Sequence, residues 1–326
     1  VSKIDSPPSA RNSGLNHATS NALLQRPANL LQRISTLIAI LLPFAALIYC
    51  LIRFWKIGVD WPEITMLFVM YLATGFGITI GYHRLFAHRA FKTYAPVRAI
   101  LAILGAMAVQ GPLIRWVAVH RCHHQHSDHQ EDPHSPHTSG RGIRGFFKGL
   151  AHSHIGWMFT DDNPGLARYV RDLQADKVLC GISRRWLFWV FMGLLIPTVL
   201  CGAISGTWTG ALLGLLWGGL VRIFLIHHVT WSINSVCHIW GQKTYDTFDH
   251  SRNNLIFGII GLGEGWHNNH HAFPHSARHG LAWWQIDFSF IIIRVMQNLG
   301  LVWSVRTAGV KAMQAKRTDR SNKLDY

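Results

Sequence analysis

Four stretches of the chain, residues 34–52, 64–82, 186–204 and 208–226, are each 19 residues long and together hold a single charged side chain, Arg222. Nineteen residues of helix rise about 28 Å, close to the roughly 30 Å hydrocarbon core of a bilayer. Backbone polar groups inside lipid find their partners only in helices or closed barrels, so runs of this length predict helix. The expected fold is therefore all-α, an integral membrane protein with four transmembrane helices. Pro43 and Pro197 are expected to kink theirs, and Arg222, near the end of the fourth, is expected to snorkel to the interface. A shorter apolar stretch, 97–109, follows Arg89 and Lys92 and reads as an interfacial or buried helix. Hydrophobic residues at 49% argue against a disordered or collagen-like chain. Five cysteines with no CxxC pair argue against a disulfide scaffold and for a reducing compartment.

The formal net charge is +15. The cations do not gather on one amphipathic segment and no nucleic-acid motif is present, so anionic lipid or an acidic partner is the expected counterpart, and nucleic acid is not. Residues 1–33 hold 4 Lys/Arg, 83–185 hold 14 and the chain after 226 holds 10, whereas the links 53–63 and 205–207 hold 2 between them. Positive charge collects on the cytoplasmic side of membrane proteins, which predicts that both termini and the long segment between the second and third spans are cytoplasmic. The chain divides into a polar segment at 1–33, expected to be mobile, a main unit at 34–305 and a basic tail at 306–326.

Histidine, at 21 residues, is the compositional outlier. It clusters as His83-Arg-Leu-Phe-Ala-His88, His120-Arg-Cys-His123-His124 and His267-Asn-Asn-His270-His271. Residues i, i+3 and i+4 lie on one side of a helix, so each HxxHH cluster is expected to converge on one point. The i, i+5 pair would diverge by about 140° on a regular helix and is expected where a helix ends. Eight imidazoles exceed the roughly four ligands of one ion, so two metal ions are expected. Nitrogen ligation suits iron, copper, zinc or nickel. Cys122 is set aside as a ligand because it projects away from its neighbours. Asp128, Glu131 and Asp132 are candidate partners for the ring nitrogens that face away from a metal.

The segments GYHRLFAHRAF (81–91), RWVAVHRCHHQHSDHQEDPHSP (115–136), HIGWMF (154–159), TWSINSVCHIWG (230–241) and GEGWHNNHHAFPHSARHG (263–280) carry a family likeness. In them the chain resembles the membrane-bound fatty acyl desaturases, the branch holding animal stearoyl-CoA desaturases and bacterial and cyanobacterial acyl desaturases. The resemblance implies a cytoplasmic helical cap with a di-iron centre held by nine histidines. Eight are those of the three boxes, and the ninth corresponds to His238. Asn234, one turn earlier, matches a residue that holds one iron through water. Gln110, Trp116, Thr230 and, nearby, Trp231 match the lining of a bent acyl tunnel. The other histidines are not carried over as ligands.

The implied reaction is O2-dependent insertion of a cis double bond into a saturated acyl chain, usually at carbon 9, with two external electrons and O2 ending as water. The animal acyl-CoA branch has Arg-Asp where this chain has Ala118 and Val119, which weakens an acyl-CoA substrate and favours a fatty acyl lipid. Residues 1–33 and 306–326 are too short for a cytochrome b5-like or ferredoxin-like domain, so a separate electron donor of one of those kinds is expected. The expected location is a bacterial inner membrane. The rivals are a di-iron lipid hydroxylase or ketolase, a histidine-rich metal transporter and a structural zinc protein. The transporter is disfavoured, because the four runs contain no Asp, Glu or His.

Overall fold

The computed structural model describes residues 28–160 and 164–318. The expectations for residues 1–27 and for the tail beyond 318, with Arg320 and Lys323, lie outside the described residues. Four helices among the described residues are long and apolar enough to cross a membrane. The first is α1 (Leu30–Ile57). The second is α2 (Trp61–Phe76) with its continuation to Ala87. Three helices follow: α3 (Ala95–Ala106), α4 (Leu113–His126) and α5 (Gly142–His154). The remaining spans are α6 (Trp186–Ser205) and α7 (Trp208–His238). Among the shorter helices are α8 (His267–Ala272) and α9 (Phe288–Asn298). A two-stranded antiparallel ladder pairs β1 (Lys92–Thr93) with β2 (Val302–Trp303).

Local chemistry sets the ends of the spans. The Asn29 side chain accepts from the Gln32 N–H at 2.8 Å and starts α1, and Gly58, at φ +83°, stops it. Gly206 in the left-handed region ends α6, and the Thr207 hydroxyl accepts from the Gly210 N–H to begin α7. The α6–α7 hairpin closes along Gly210, Gly214 and Gly218. A Cβ on Gly214 would sit 2.2 Å from the Pro197 carbonyl oxygen, so this approach of two backbones needs glycine.

Two expectations are corrected here. The second and fourth helices outrun their apolar stretches, reaching Ala87 and His238, and the extra turns carry His83 and His238. Hydropathy marks where lipid stops, not where helical hydrogen bonding stops. Arg222 does not snorkel. It is fully buried and donates to the carbonyls of Met107 (2.7 Å), Gly193 (3.0 Å) and Gly218 (3.2 Å). Pro197 has no N–H to offer Gly193, four residues earlier, and Met107 ends α3, so those two carbonyls lack helical partners. Satisfying them outweighs hydrating the guanidinium.

The stretch at 97–109 forms α3, only 12 residues long, with Leu101, Ala102, Gly105 and Ala106 buried. It packs on the continuation of α2. The core is centred there, on Tyr82, Leu101, Leu113 and Val117, beneath the histidine-bearing segments.

Candidate metal centre

The continuation of α2, Gly77–Ala87, is a π-helix, and the His88 N–H donates to the His83 carbonyl, five residues back, at 3.0 Å. At about 4.4 residues per turn, residues five apart diverge by only about 50°. The i, i+5 spacing therefore needs no abrupt helix end to converge, because the helix itself widens. A Cβ on Gly77 would lie 2.2 Å from the Gly105 N, so α3 lies hard against this segment.

The nine histidines gather into two groups whose ligand atoms lie within 4.8 Å of one another. His83, His88, His120, His124 and His270 form the first. His123, His238, His267 and His271 form the second. The HxxHH clusters do not each converge on one point. From α4, His120 and His124 enter the first group and His123 the second. From α8, His267 and His271 enter the second and His270 the first. On a helix, i+4 stands about 40° from i on one side and i+3 about 60° on the other. Two centres side by side use that divergence, whereas one centre would have to overcome it.

Within the groups, Nε2 atoms face each other: His83 to His270 at 3.0 Å, His88 to His120 at 2.8 Å, His124 to His270 at 2.9 Å and His238 to His267 at 3.0 Å. Two nitrogens about 2.1 Å from one ion and at right angles to each other stand about 3.0 Å apart. His123 and His271 have buried Nε2 atoms with no hydrogen-bond partner among the described residues. A buried nitrogen lone pair facing other imidazoles is costly without a cation to share it. The donor set fits metal ions on both counts.

Carboxylates hold the opposite ring nitrogens. Asp132 meets His123 Nδ1 at 2.9 Å, Asp128 meets His238 Nδ1 at 2.9 Å, Asp249 meets His271 Nδ1 at 2.5 Å, and Glu264 pairs with His83 Nδ1. An Nδ1–H donated outward leaves Nε2 free to face inward. Burial alone would raise the carboxyls of Asp128, Asp132 and Asp249. The facing imidazoles and further hydrogen bonds outweigh it and hold all three well below the usual range. Burial first, and neighbouring imidazoles second, push His88, His120, His124, His267 and His270 well below their ordinary value, which leaves them neutral.

Of the three acids read from sequence, Asp128 and Asp132 reach a ring nitrogen of the groups. Glu131 does not; it lies 3.9 Å from His126. Asp249 and Glu264 escaped the sequence reading, as did Arg84, which is fully buried between Glu264 (3.1 Å) and Asp287 (2.8 Å). Glu264 stands three residues before His267, and the rule that each ligating imidazole needs an outer acceptor is the signal that points to it. Cys122 is buried and outside both groups.

A cavity of about 590 Å³ leads to the groups, lined by Gln110, Trp116, Thr230, Trp231 and Asn234, with His120 in its wall. Trp116 Nε1 donates to Gln110 Oε1 at 3.2 Å, and Gln110 Nε2 donates to Thr230 Oγ1 at 2.8 Å. A second cavity of about 50 Å³ shares Trp116, His120, Thr230 and Asn234 with the first and also touches His83 and His267. Tyr71 lies in its wall, with its hydroxyl on the Ile260 carbonyl at 2.6 Å.

Four helices able to cross a membrane, carrying a buried double cluster of imidazoles able to hold metal ions beside an apolar cavity, define the class as a polytopic membrane protein with a candidate metal centre. Comparison with known proteins names the family. Residues 61–301 match the fatty acid desaturase model. The chain is 44% identical over 278 residues, 85% of this chain and 87% of the relative, to a hex-5-enoyl-acyl-carrier-protein acetylenase of Moorena producens (strain JHB). It is 36% identical over 256 residues, 77% of this chain and 87% of the relative, to an sn-1 stearoyl-lipid 9-desaturase of Anabaena variabilis. A chloroplastic palmitoyl-monogalactosyldiacylglycerol delta-7 desaturase of Arabidopsis thaliana is 39% identical over 252 residues, 76% of this chain and 63% of the relative. The chain belongs to the fatty acid desaturase family, whose members are oxidoreductases.

Proposed function

We propose that this protein introduces a cis double bond, at carbon 9, into a saturated fatty acyl chain, with O2 as co-substrate. The observation that carries this reading is the pair of histidine groups set in the wall of an apolar cavity. His83, His88, His120, His124 and His270 would hold one iron. His123, His238, His267 and His271, with Asn234 through a water, would hold the other. The two irons, when bound, supply O2-dependent oxidation of C–H bonds that no side-chain acid or base can break.

The protein's own part is ligation, orientation and exclusion of water. Asp132, Asp128, Asp249 and Glu264 fix the tautomer of four rings. The hydrogen-bonded unit Trp116–Gln110–Thr230 stands where the two cavities share walls and would turn the acyl chain past His120. Apolar walls keep bulk water from the site. Electrons come from a separate ferredoxin-like or cytochrome b5-like donor on the basic, cytoplasmic face of a bacterial inner membrane.

The test is expression in a host that lacks this unsaturation, followed by mass spectrometry of total fatty acids with double-bond localisation. A new monoene lacking two hydrogens is expected. His123→Ala and His270→Ala, one from each group, are expected to abolish it with the protein still in the membrane; product from both variants would sink the assignment. The acetylenase relative favours a second reading, in which an alkene becomes an alkyne. The same spectra separate the two, because that product lacks four hydrogens relative to the saturated chain. An alcohol or ketone would instead establish the hydroxylase or ketolase reading.

A further inference from the structure

The cavity that leads to the histidine groups is walled on one side by two membrane spans. α1 contributes Ile38, Ala39 and Leu42, and α6 contributes Leu187, Val190 and Leu194. Both helices pack on the 215–221 segment of α7, and neither packs extensively on the other. Three of these side chains belong at once to the cavity wall and to the outer surface: Leu187 is 72% exposed, Ile38 56% and Leu42 50%. On helices of this length and apolarity, an outer surface faces acyl chains and not water. The cavity therefore has a mouth in the plane of the membrane.

The composition of the rim changes along the helix axes. At the N-terminal ends of α1, α4 and α6 the lining turns polar with Gln32, Ser35, Thr36, Arg115 and Trp186. Residues of this kind collect at the headgroup level of a bilayer. An apolar opening with a polar, cationic and aromatic edge fits a molecule whose chain lies in the leaflet and whose ester and phosphate lie at the interface. It fits poorly a fatty chain delivered from water by a large soluble carrier, because the opening between α1 and α6 lies below that edge.

We infer that the space between α1 and α6 is a lateral portal, through which one acyl chain of a membrane-resident glycerolipid slides from the bilayer into the cavity while its head group stays at the interface. This rests on the reading of the cavity as the acyl-binding site, and it selects a lipid-bound substrate over a soluble thioester. An aliphatic chain entering sideways exchanges lipid contacts for Ile38, Leu42 and Leu187 contacts, so no apolar surface meets water on the way.

The test uses the full chain in phosphatidylcholine vesicles that contain a phosphatidylcholine with a diazirine in mid-chain. A parallel sample receives an acyl-CoA with the same diazirine chain. After irradiation, labelled peptides are mapped by mass spectrometry. The phospholipid probe is expected to label the interior segments around Trp116–His120 and Thr230–Asn234. In the double variant Ile38→Trp and Leu187→Trp, interior labelling is expected to fall about tenfold, since two indoles fill an opening that aliphatic side chains leave free. Labelling at Phe68 and Val69, which face outward elsewhere, is expected to stay as in the unaltered protein, and Val199→Trp, on α6 but away from the cavity, should leave interior labelling intact.

Interior labelling by the acyl-CoA probe and not by the phospholipid would overturn the portal, as would labelling that the double variant does not reduce. The two ideas fail separately. Interior labelling in protein that yields no unsaturated product would leave the portal standing and sink the desaturase reading. Unsaturated product without interior labelling by phospholipid would do the reverse.

Discussion

At the scale of single residues, the nine histidines depend on the acids behind them, which fix their rings. Asp249 is typical. It accepts a hydrogen bond from His271 Nδ1–H and from the Ser251 N–H and hydroxyl, and lies 22 residues from His271 in sequence. Asp249→Asn keeps the volume and loses the charge. It is expected to weaken metal binding about 10–100-fold, as removal of an outer acceptor generally does, in a chelator-competition titration followed by elemental analysis. Glu131→Gln, at an acid outside the groups, is expected to leave that titration unchanged. Tyr71 offers a different readout. Tyr71→Ala would open the small second cavity where its ring now closes it, so the product profile by gas chromatography should move toward longer acyl chains. An unchanged profile would show that this cavity does not hold the chain end.

At the scale of elements, two departures from ordinary helix decide what the spans can do. The π-helical turns of Gly77–Ala87 bring His83 and His88 to one side, at a spacing that an α-helix would splay. Pro197 in α6 leaves the Gly193 carbonyl free, and Arg222 of α7 answers it together with Met107 of α3. One guanidinium thus ties three helices inside the membrane. Arg222→Met is expected to destabilise the protein by about 3 kcal/mol or more, since three buried carbonyls each lose a donor worth roughly 1–3 kcal/mol. Thermal unfolding in detergent reads this as a lowered Tm, and an unchanged Tm would mean that water or lipid takes over the donor role. Sequence pattern alone reported Arg222 as a charge near a helix end. It could not report two orphan carbonyls, because they come from Met107 and Gly193, far from Arg222 in the chain.

At the scale of the whole molecule, the histidine groups couple folding to metal and to pH. In metal-stripped protein, His88, His120, His124, His267 and His270 have folded-state values well below the ordinary 6.5. Below about pH 6.5 the unfolded chain then binds more protons than the folded one, so stability is present above that pH and lost as pH falls. The lowered carboxyls of Asp128, Asp132 and Asp249 add loss of the same sign below about pH 4. Chelator-treated protein is expected to show a Tm that falls between pH 7.5 and pH 5.5, and metal-loaded protein, whose ion-held imidazoles bind no protons, should have a higher Tm at pH 7.5 that falls at least as steeply. A Tm at pH 7.5 that metal does not raise would contradict metal occupancy of these groups.

The four spans, the helical class and the three histidine clusters were legible in the sequence because each is a local pattern. An apolar run must be helix in lipid, and an HxxHH spacing puts three imidazoles on one flank of a helix. Which imidazole joins which group was not local. His83 meets His270 across 187 residues and His123 meets Asp132 across 9, and only packing brings α2, α4, α7 and α8 to one place. The same holds for the opening between α1 and α6, which exists because both lean on α7 and leave space between them. Short-range periodicity fixes which face a side chain takes on its own helix, but neighbours distant in the chain are chosen by the burial of whole helices against one another.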